Sequence, residues 1–206
     1  MALSPKLLAH FSINEEKVVV FDEKINDILL NTIKSNKRVE HSISVANLSY
    51  KIALANNLSN PFSFYLAGLF HDLAKGLSKG ELKEEMLKHY SSYLDLPSFS
   101  YHQFIGGYLT KKLVGIEDKE IIDAIECHCT GKANMSPIDM VVYSADKTDP
   151  LRGYDSSKMI ESLIKDYYKG FLYVLKENKA FLIKKTNNIN SIENRLSKAC
   201  FEYYLK

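Results

Sequence analysis

The chain has 206 residues, 46% of them hydrophobic and 25% charged, with a formal net charge of +2. That length suits one domain with a sizeable core, and so small a charge excess argues against a nucleic-acid or anionic-membrane partner. Cys127, Cys129 and Cys200 are too few and too unevenly spaced for a disulfide framework. No basic start followed by a long apolar run opens the sequence, and Val18-Val19-Val20-Phe21 is too short to span a membrane. The expectation is a cytoplasmic protein in a reducing compartment.

Helical periodicity dominates. Residues 1–20 are the least regular, and Val18-Val19-Val20 suits a short strand or an extended arm; residues 22–35 should be helical. From Val39 to Ala55, His41, Val45, Leu48, Ile52 and Ala55 recur at steps of three and four, one face of a helix. Residues 62–75 read as a second helix closed by Gly76. Ser78 and Glu81 carry a capping-box signature that opens a third, and Tyr90 to Ser100 reads as a loop. Residues 101–114 follow with His102, Ile105, Leu109 and Leu113 in step, then residues 118–129 with Ile121, Ile125 and His128 on one face and Gly131 as a stop. Ser136-Pro137 opens another helix, serine as cap and proline at the first position, which ends before Pro150. Residues 157–177 and 189–204 read as two amphipathic helices split by Lys184-Lys185-Thr186-Asn187-Asn188. The expected fold is an all-α helical bundle.

His41, His71, His102 and His128 sit on the apolar faces of four different predicted helices. Asp72 follows one of them, and Asp146 lies on a fifth such helix with Asp139 and Val142. A lone histidine on an apolar face is ordinarily a satisfied core residue, and His10 and His89 stay with that reading. Four inward histidines with two inward acids depart too often from the Leu, Ile and Val that fill helical cores. Burying them is costly unless something pairs them. Imidazoles and carboxylates suit iron, manganese, zinc or nickel. Six such donors exceed a closed tetrahedral site and are enough for two divalent ions with open positions.

The order of these motifs resembles the HD-domain metal-dependent phosphohydrolases. Within them it is most similar to the YqeK-like branch, the symmetrical bis(5'-nucleosyl)-tetraphosphatases. The segments that carry the likeness are Arg38-Val-Glu-His41, Gly68-Leu-Phe-His-Asp-Leu-Ala-Lys75, His102-Gln-Phe-Ile-Gly-Gly107, His128-Cys-Thr-Gly131 and Tyr143-Ser-Ala-Asp-Lys-Thr-Asp-Pro-Leu-Arg152. Three positions depart from the branch: Cys129 replaces threonine, Asp149 replaces the glutamate before proline, and Gln103 stands where glycine is frequent. None removes an expected ligand.

The resemblance implies an HD-domain bundle with extra terminal helices: an N-terminal arm and helix over 1–35, a catalytic core over 36–156, and C-terminal helices over 157–206. It implies that His41, His71, Asp72 and Asp146 hold one metal, that Asp72 bridges to a second held by His102 and His128, and that the metal is iron. The implied reaction is hydrolysis of diadenosine tetraphosphate to two ADP by a water that the metal pair activates. Asp72 and Lys75 are then the catalytic candidates. Lys75, three residues after Asp72, is also placed to clamp phosphate, with Arg38, Thr130, Gly131 and Arg152 as further substrate contacts. Lys147 is expected to face solvent. The competing readings are another nucleotide phosphohydrolase and a non-catalytic nucleotide-binding helical module. The C-terminal helices are the part best suited to a homodimer contact.

Overall fold

The computed structural model describes residues 9–13, 18–186 and 194–206. A short antiparallel ribbon, β1 (Phe11–Ile13) and β2 (Val18–Phe21), comes first, with Phe11 opposite Phe21. The strand reading of Val18-Val19-Val20 therefore holds. The rest described is helical. Asp22 caps α1 (Glu23–Ile33) by accepting from the amide of Ile25, and Ile25, Leu29 and Ile33 bury one face of that helix.

Two closely packed helices follow, α2 (Asn36–Ala55) and α3 (Pro61–Phe70). Every residue of α3 after its opening proline is buried, which fits a helix apolar all round. Gly68 sets how near the two helices come: a Cβ there would lie 2.8 Å from the Ala46 Cα. Next come α4 (Lys79–His89), opened by the Ser78–Glu81 capping box, and α5 (Tyr101–Leu109), which runs into a π-turn over Thr110–Val114. Asp118 caps α6 (Lys119–Cys127), and a second capping box, Ser136 with Asp139, opens α7 (Pro137–Thr148). The C-terminal part comprises α8 (Ser157–Lys165), α9 (Tyr167–Thr186) and α10 (Arg195–Tyr204).

The main core lies among α2, α3, α6 and α7; Leu163 and Phe171 extend it beneath α8 and α9. A smaller cluster of Met86, Leu96, Phe104 and Ile105 fills the space under α4 and α5. No helix among the described residues is long and apolar enough to cross a membrane.

Three boundaries differ from the sequence reading. Residues 157–177 are not one helix: Asp166 is extended (φ −159°), and its Oδ1 accepts from the amides of Tyr168 and Lys169 to cap the next helix. Asn56 reinforces the break by donating to the Leu163 carbonyl and accepting from the Tyr167 amide. Helix α9 then continues through Lys184-Lys185-Thr186 to its end at Thr186. Residues 189–193 of the expected last helix lie outside the described residues, and α10 begins at Arg195, capped by Asn194. Finally, α3 stops at Phe70; Asp72 leaves helical geometry (φ −102°, ψ 17°) and a 3-10 turn covers Leu73–Gly76.

Candidate metal centre

That last break matters locally. Neighbouring residues of an α-helix point about 100° apart, so a continuous helix would send His71 and Asp72 in different directions. The turn at Asp72 lets both face one point. Around it gather His41 from α2, His102 from α5, His128 directly after α6, and Asp146 from α7. Asp72 joins two groups of donors. Its Oδ1 lies 3.5 Å from His102 Nε2 and 3.4 Å from His128 Nε2, and those two nitrogens are 3.2 Å apart. Its Oδ2 lies 3.7 Å from His71 Nε2, which is 3.7 Å from Asp146 Oδ1; the same oxygen is 3.2 Å from His41 Nε2.

Backbone geometry fixes the tautomers. The Nδ1–H of His71 donates to the Gly68 carbonyl, that of His102 to Phe99 and that of His128 to Ile125, each at 2.7 Å. A carbonyl only accepts, so each Nδ1 carries a proton, and in the neutral imidazole it is Nε2 that presents a lone pair to the centre. His102 and His128 thus aim two acceptors at each other. The Nε2 of His71 is buried without any hydrogen-bond partner. Acceptors converging with no donor between them fit a cation. Two donors about 2.0–2.1 Å from one first-row ion lie roughly 3–3.4 Å apart, close to the spacings around Asp72. The carbonyl-held imidazole is also the usual way a protein orients a metal-binding histidine.

The charges are arranged to match. Burial pushes the Asp72 carboxyl up, but at the low pH where it would titrate the imidazolium forms of His71, His128 and His102, with Lys75, more than offset this and hold it well below the usual carboxylate range. Burial acts likewise on Asp146, outweighed by Lys147, His41, His71 and Arg152. Burial pushes His102 and His128 down, which keeps them neutral. His41 is the exception: burial would lower it, yet Asp146 and Asp149 raise it to about 9. Without a metal, His41 is therefore a cation paired with both carboxylates.

The expected substrate contacts divide into two sets. Lys75 Nζ stands 3.9 Å from Asp72 Oδ1, and Arg38 Nη1 donates to the Lys75 carbonyl at 2.7 Å, so these two edge the centre together. Arg152 joins them: its Nη2 pairs with Asp146 Oδ1 and its Nε with the Asp146 carbonyl. Thr130 and Gly131 are not brought to that edge. Thr130 is buried, its hydroxyl engaged with Gln103 and the Gly131 carbonyl, and Gly131 (φ 67°) faces Cys200, whose Sγ would be 2.6 Å from any Cβ there. His10 pairs with Asp22 beside the ribbon, and His89 stacks on Tyr108, both away from the centre.

Supporting residues were less visible in the sequence. Asp149, fully buried, accepts from His41 Nδ1 at 2.5 Å and from Ser44 Oγ at 2.5 Å. Gln103 Oε1 accepts from the amides of Cys129 and Thr130, which ties α5 to the end of α6 and so His102 to His128. Lys147 does not face solvent: Nζ donates to the His128 carbonyl at 3.0 Å and to Asp146 Oδ2 at 3.2 Å, over the Tyr143 ring at 4.3 Å. Asp139 turns to its own cap and to Lys132 instead of the centre. The signal for Asp149 was its spacing: it sits three residues after Asp146, so both carboxylates reach one side of α7.

Several known proteins resemble this chain. A Mycoplasma pneumoniae protein named probable nicotinate-nucleotide adenylyltransferase/Ap4A hydrolase is 31% identical over 156 residues, 72% of this chain and 44% of the relative. The chain spans only 36% of the corresponding Mycoplasma genitalium protein, so it matches less than half of either. The symmetrical bis(5'-nucleosyl)-tetraphosphatase of Bacillus subtilis is 28% identical over 74% of this chain and 83% of its own length. A Clostridium acetobutylicum crystal structure, described as a predicted HD superfamily hydrolase involved in NAD metabolism, superposes with a TM-score of 0.76 at 26% identity, covering 89% of this chain and 96% of that one. Residues 38–151, which carry all six converging side chains, match the HD domain, and the chain belongs to that family.

Proposed function

We propose that this protein is a metal-dependent hydrolase that cleaves diadenosine tetraphosphate symmetrically, consuming one water and releasing two ADP. The observation that carries this reading is the pair of donor groups sharing Asp72. His41, His71, Asp72 and Asp146 would hold one divalent cation, and Asp72, His102 and His128 a second, with iron our choice among the first-row ions that such donors accept. A bound pair supplies Lewis acidity toward phosphoryl oxygens and acidifies a water at neutral pH.

The protein's own residues do the rest. Lys75, with its side chain one-third exposed, offers an ammonium beside Asp72 where phosphate charge would accumulate. Arg38 braces the Lys75 backbone and adds positive charge at the same edge. The carbonyl-locked imidazoles cannot rotate, so the donors are positioned before substrate arrives, the condition under which electrostatic stabilisation is largest. Attack beside the central bridging oxygen breaks one P–O bond and leaves ADP on each side; register is a matter of where the two ADP halves are gripped. We place this catalytic unit within residues 36–156.

The test is one incubation of the protein, loaded anaerobically with Fe(II) or Mn(II), with diadenosine tetraphosphate. ADP as sole product, lost in Asp72→Ala, is expected. ATP plus AMP would overturn the symmetrical register. Failure to turn over with two metals bound would move the protein to another nucleotide substrate or to a binding role.

A further inference from the structure

One exposed aromatic ring is both close to the centre and fixed in place. Tyr154 is 48% exposed, yet its hydroxyl donates to the carbonyl of Lys147, the residue after Asp146. Between them the chain turns through Pro150–Arg152 and a left-handed Gly153 (φ 80°). That turn folds Arg152 and Tyr154 back onto the same last turn of α7, Arg152 against Asp146 and Tyr154 against its neighbour. Phe99 is exposed too, at 60%, but no interaction of its ring is seen to fix it; Tyr168, Tyr173, Phe181 and Tyr203 lie on α9 and α10, which carry none of the converging side chains.

We infer that Tyr154 is the stacking platform for a nucleoside base of the substrate whose phosphates meet the metal centre and Arg152. The inference rests on the reaction proposed above and adds how the nucleoside is gripped. A ring anchored through its hydroxyl keeps its faces free, and little side-chain freedom remains to be lost when a base lies on it. Stacking reads the face of a base and not its edge, so the site should prefer nucleotides over inorganic polyphosphate while tolerating different bases. The hydroxyl has a separate structural role, satisfying one of the unpaired carbonyls at the end of α7, and the test must separate the two.

The test is calorimetric titration of the Mn(II)-loaded protein with ADP and, separately, with pyrophosphate. Tyr154→Leu should lose about tenfold in ADP affinity while pyrophosphate stays within about twofold. Tyr154→Phe, which keeps the ring and loses the cap, should stay within about twofold for both. The inference is overturned if Tyr154→Leu binds ADP as the parent does, if it loses ADP and pyrophosphate alike, if Tyr154→Phe loses as much as Tyr154→Leu, or if the parent binds ADP no better than pyrophosphate. Binding and turnover are read apart: a selective ADP loss in a protein that does not split diadenosine tetraphosphate upholds the platform and removes the proposed reaction.

Discussion

Replacing Asp149 by asparagine removes a buried negative charge and leaves the side-chain shape. Asp149 and Asp146 face the two nitrogens of His41 and together carry it from 6.5 to about 9 despite burial. At 1.36 kcal/mol per pH unit the difference between those values amounts to about 3.4 kcal/mol. Because burial opposes them, the carboxylates supply more than this net gain, and an equal split sets about 1.7 kcal/mol as a lower bound for Asp149. The same carboxylate raises the affinity of His41 for a proton and for a metal, and the two compete. Loss of such a supporting carboxylate costs about 10- to 100-fold in intrinsic metal affinity. Near pH 9, where His41 is half protonated, proton competition costs the parent only about twofold, so Asp149→Asn should show most of that loss. At pH 7 the parent must expel a proton held about 100-fold, and the variant one held at most about sixfold, against about twofold and almost none at pH 9, so the deficit should shrink at least roughly eightfold between the two pH values. The assay is anaerobic Mn(II) competition against a chromophoric chelator at both pH values. An equal deficit at pH 7 and pH 9, or none at pH 9, would refute the coupling of Asp149 to the metal through His41.

The metal-free protein should be most stable near the ordinary histidine pKa of 6.5. His41, raised to about 9, contributes stability that is complete below 6.5 and lost as pH rises through 9, whereas His102 and His128, lowered by burial, cost stability as pH falls below 6.5; melting temperature against pH, with and without chelator, reads this out, and a flat metal-free profile would contradict it. Gly68→Ala puts a methyl 2.8 Å from the Ala46 Cα and should cost about 1–3 kcal/mol by overpacking. Because α2 carries His41, the variant should also bind metal more weakly, and urea melts with metal titration check both. Lys147→Met leaves Asp146 Oδ2 without its ammonium and should destabilise the metal-free protein by about 2–3 kcal/mol, less once metal is bound, as paired thermal melts would show.

How much of this was legible follows from where each signal lives. The inward spacing of His41, His102 and His128 is local periodicity, and the Ser78–Glu81 and Ser136–Pro137 signatures mark real helix starts. The break at Asp72 is not local: an apolar run through residues 62–75 continues a helix by pattern, and the turn is recognised from its packing on α1 and α5 and from the histidines that Asp72 meets. The break at Asp166 depends on Asn56, more than a hundred residues earlier, although an aspartate followed by two amides it can cap was a usable hint. Lys147 misled because charge suggests solvent, and nothing in the sequence shows that its neighbour's carboxylate and the Tyr143 ring wait inside. Thr130 and Gly131 misled for the opposite reason: a helix-end motif with a hydroxyl reads as a phosphate contact, while Gln103 and Cys200 enclose it.

The two sides of the centre are held by different means, and that bears on what a metal contributes to the fold. On the carboxylate side every acid already has a partner: Asp146 has Arg152, Lys147 and His41, and Asp149 has His41 and Ser44. These pairs offset the burial of charge without any metal. On the imidazole side the Nε2 atoms of His102 and His128 face Asp72 Oδ1 and each other. A cation bound there replaces the repulsion of two facing lone pairs with ligation, whereas one bound by Asp146 must first displace a proton or a guanidinium. The position shared by Asp72, His102 and His128 is therefore the one the fold leaves ready, and the position that includes His41 is the one coupled to pH.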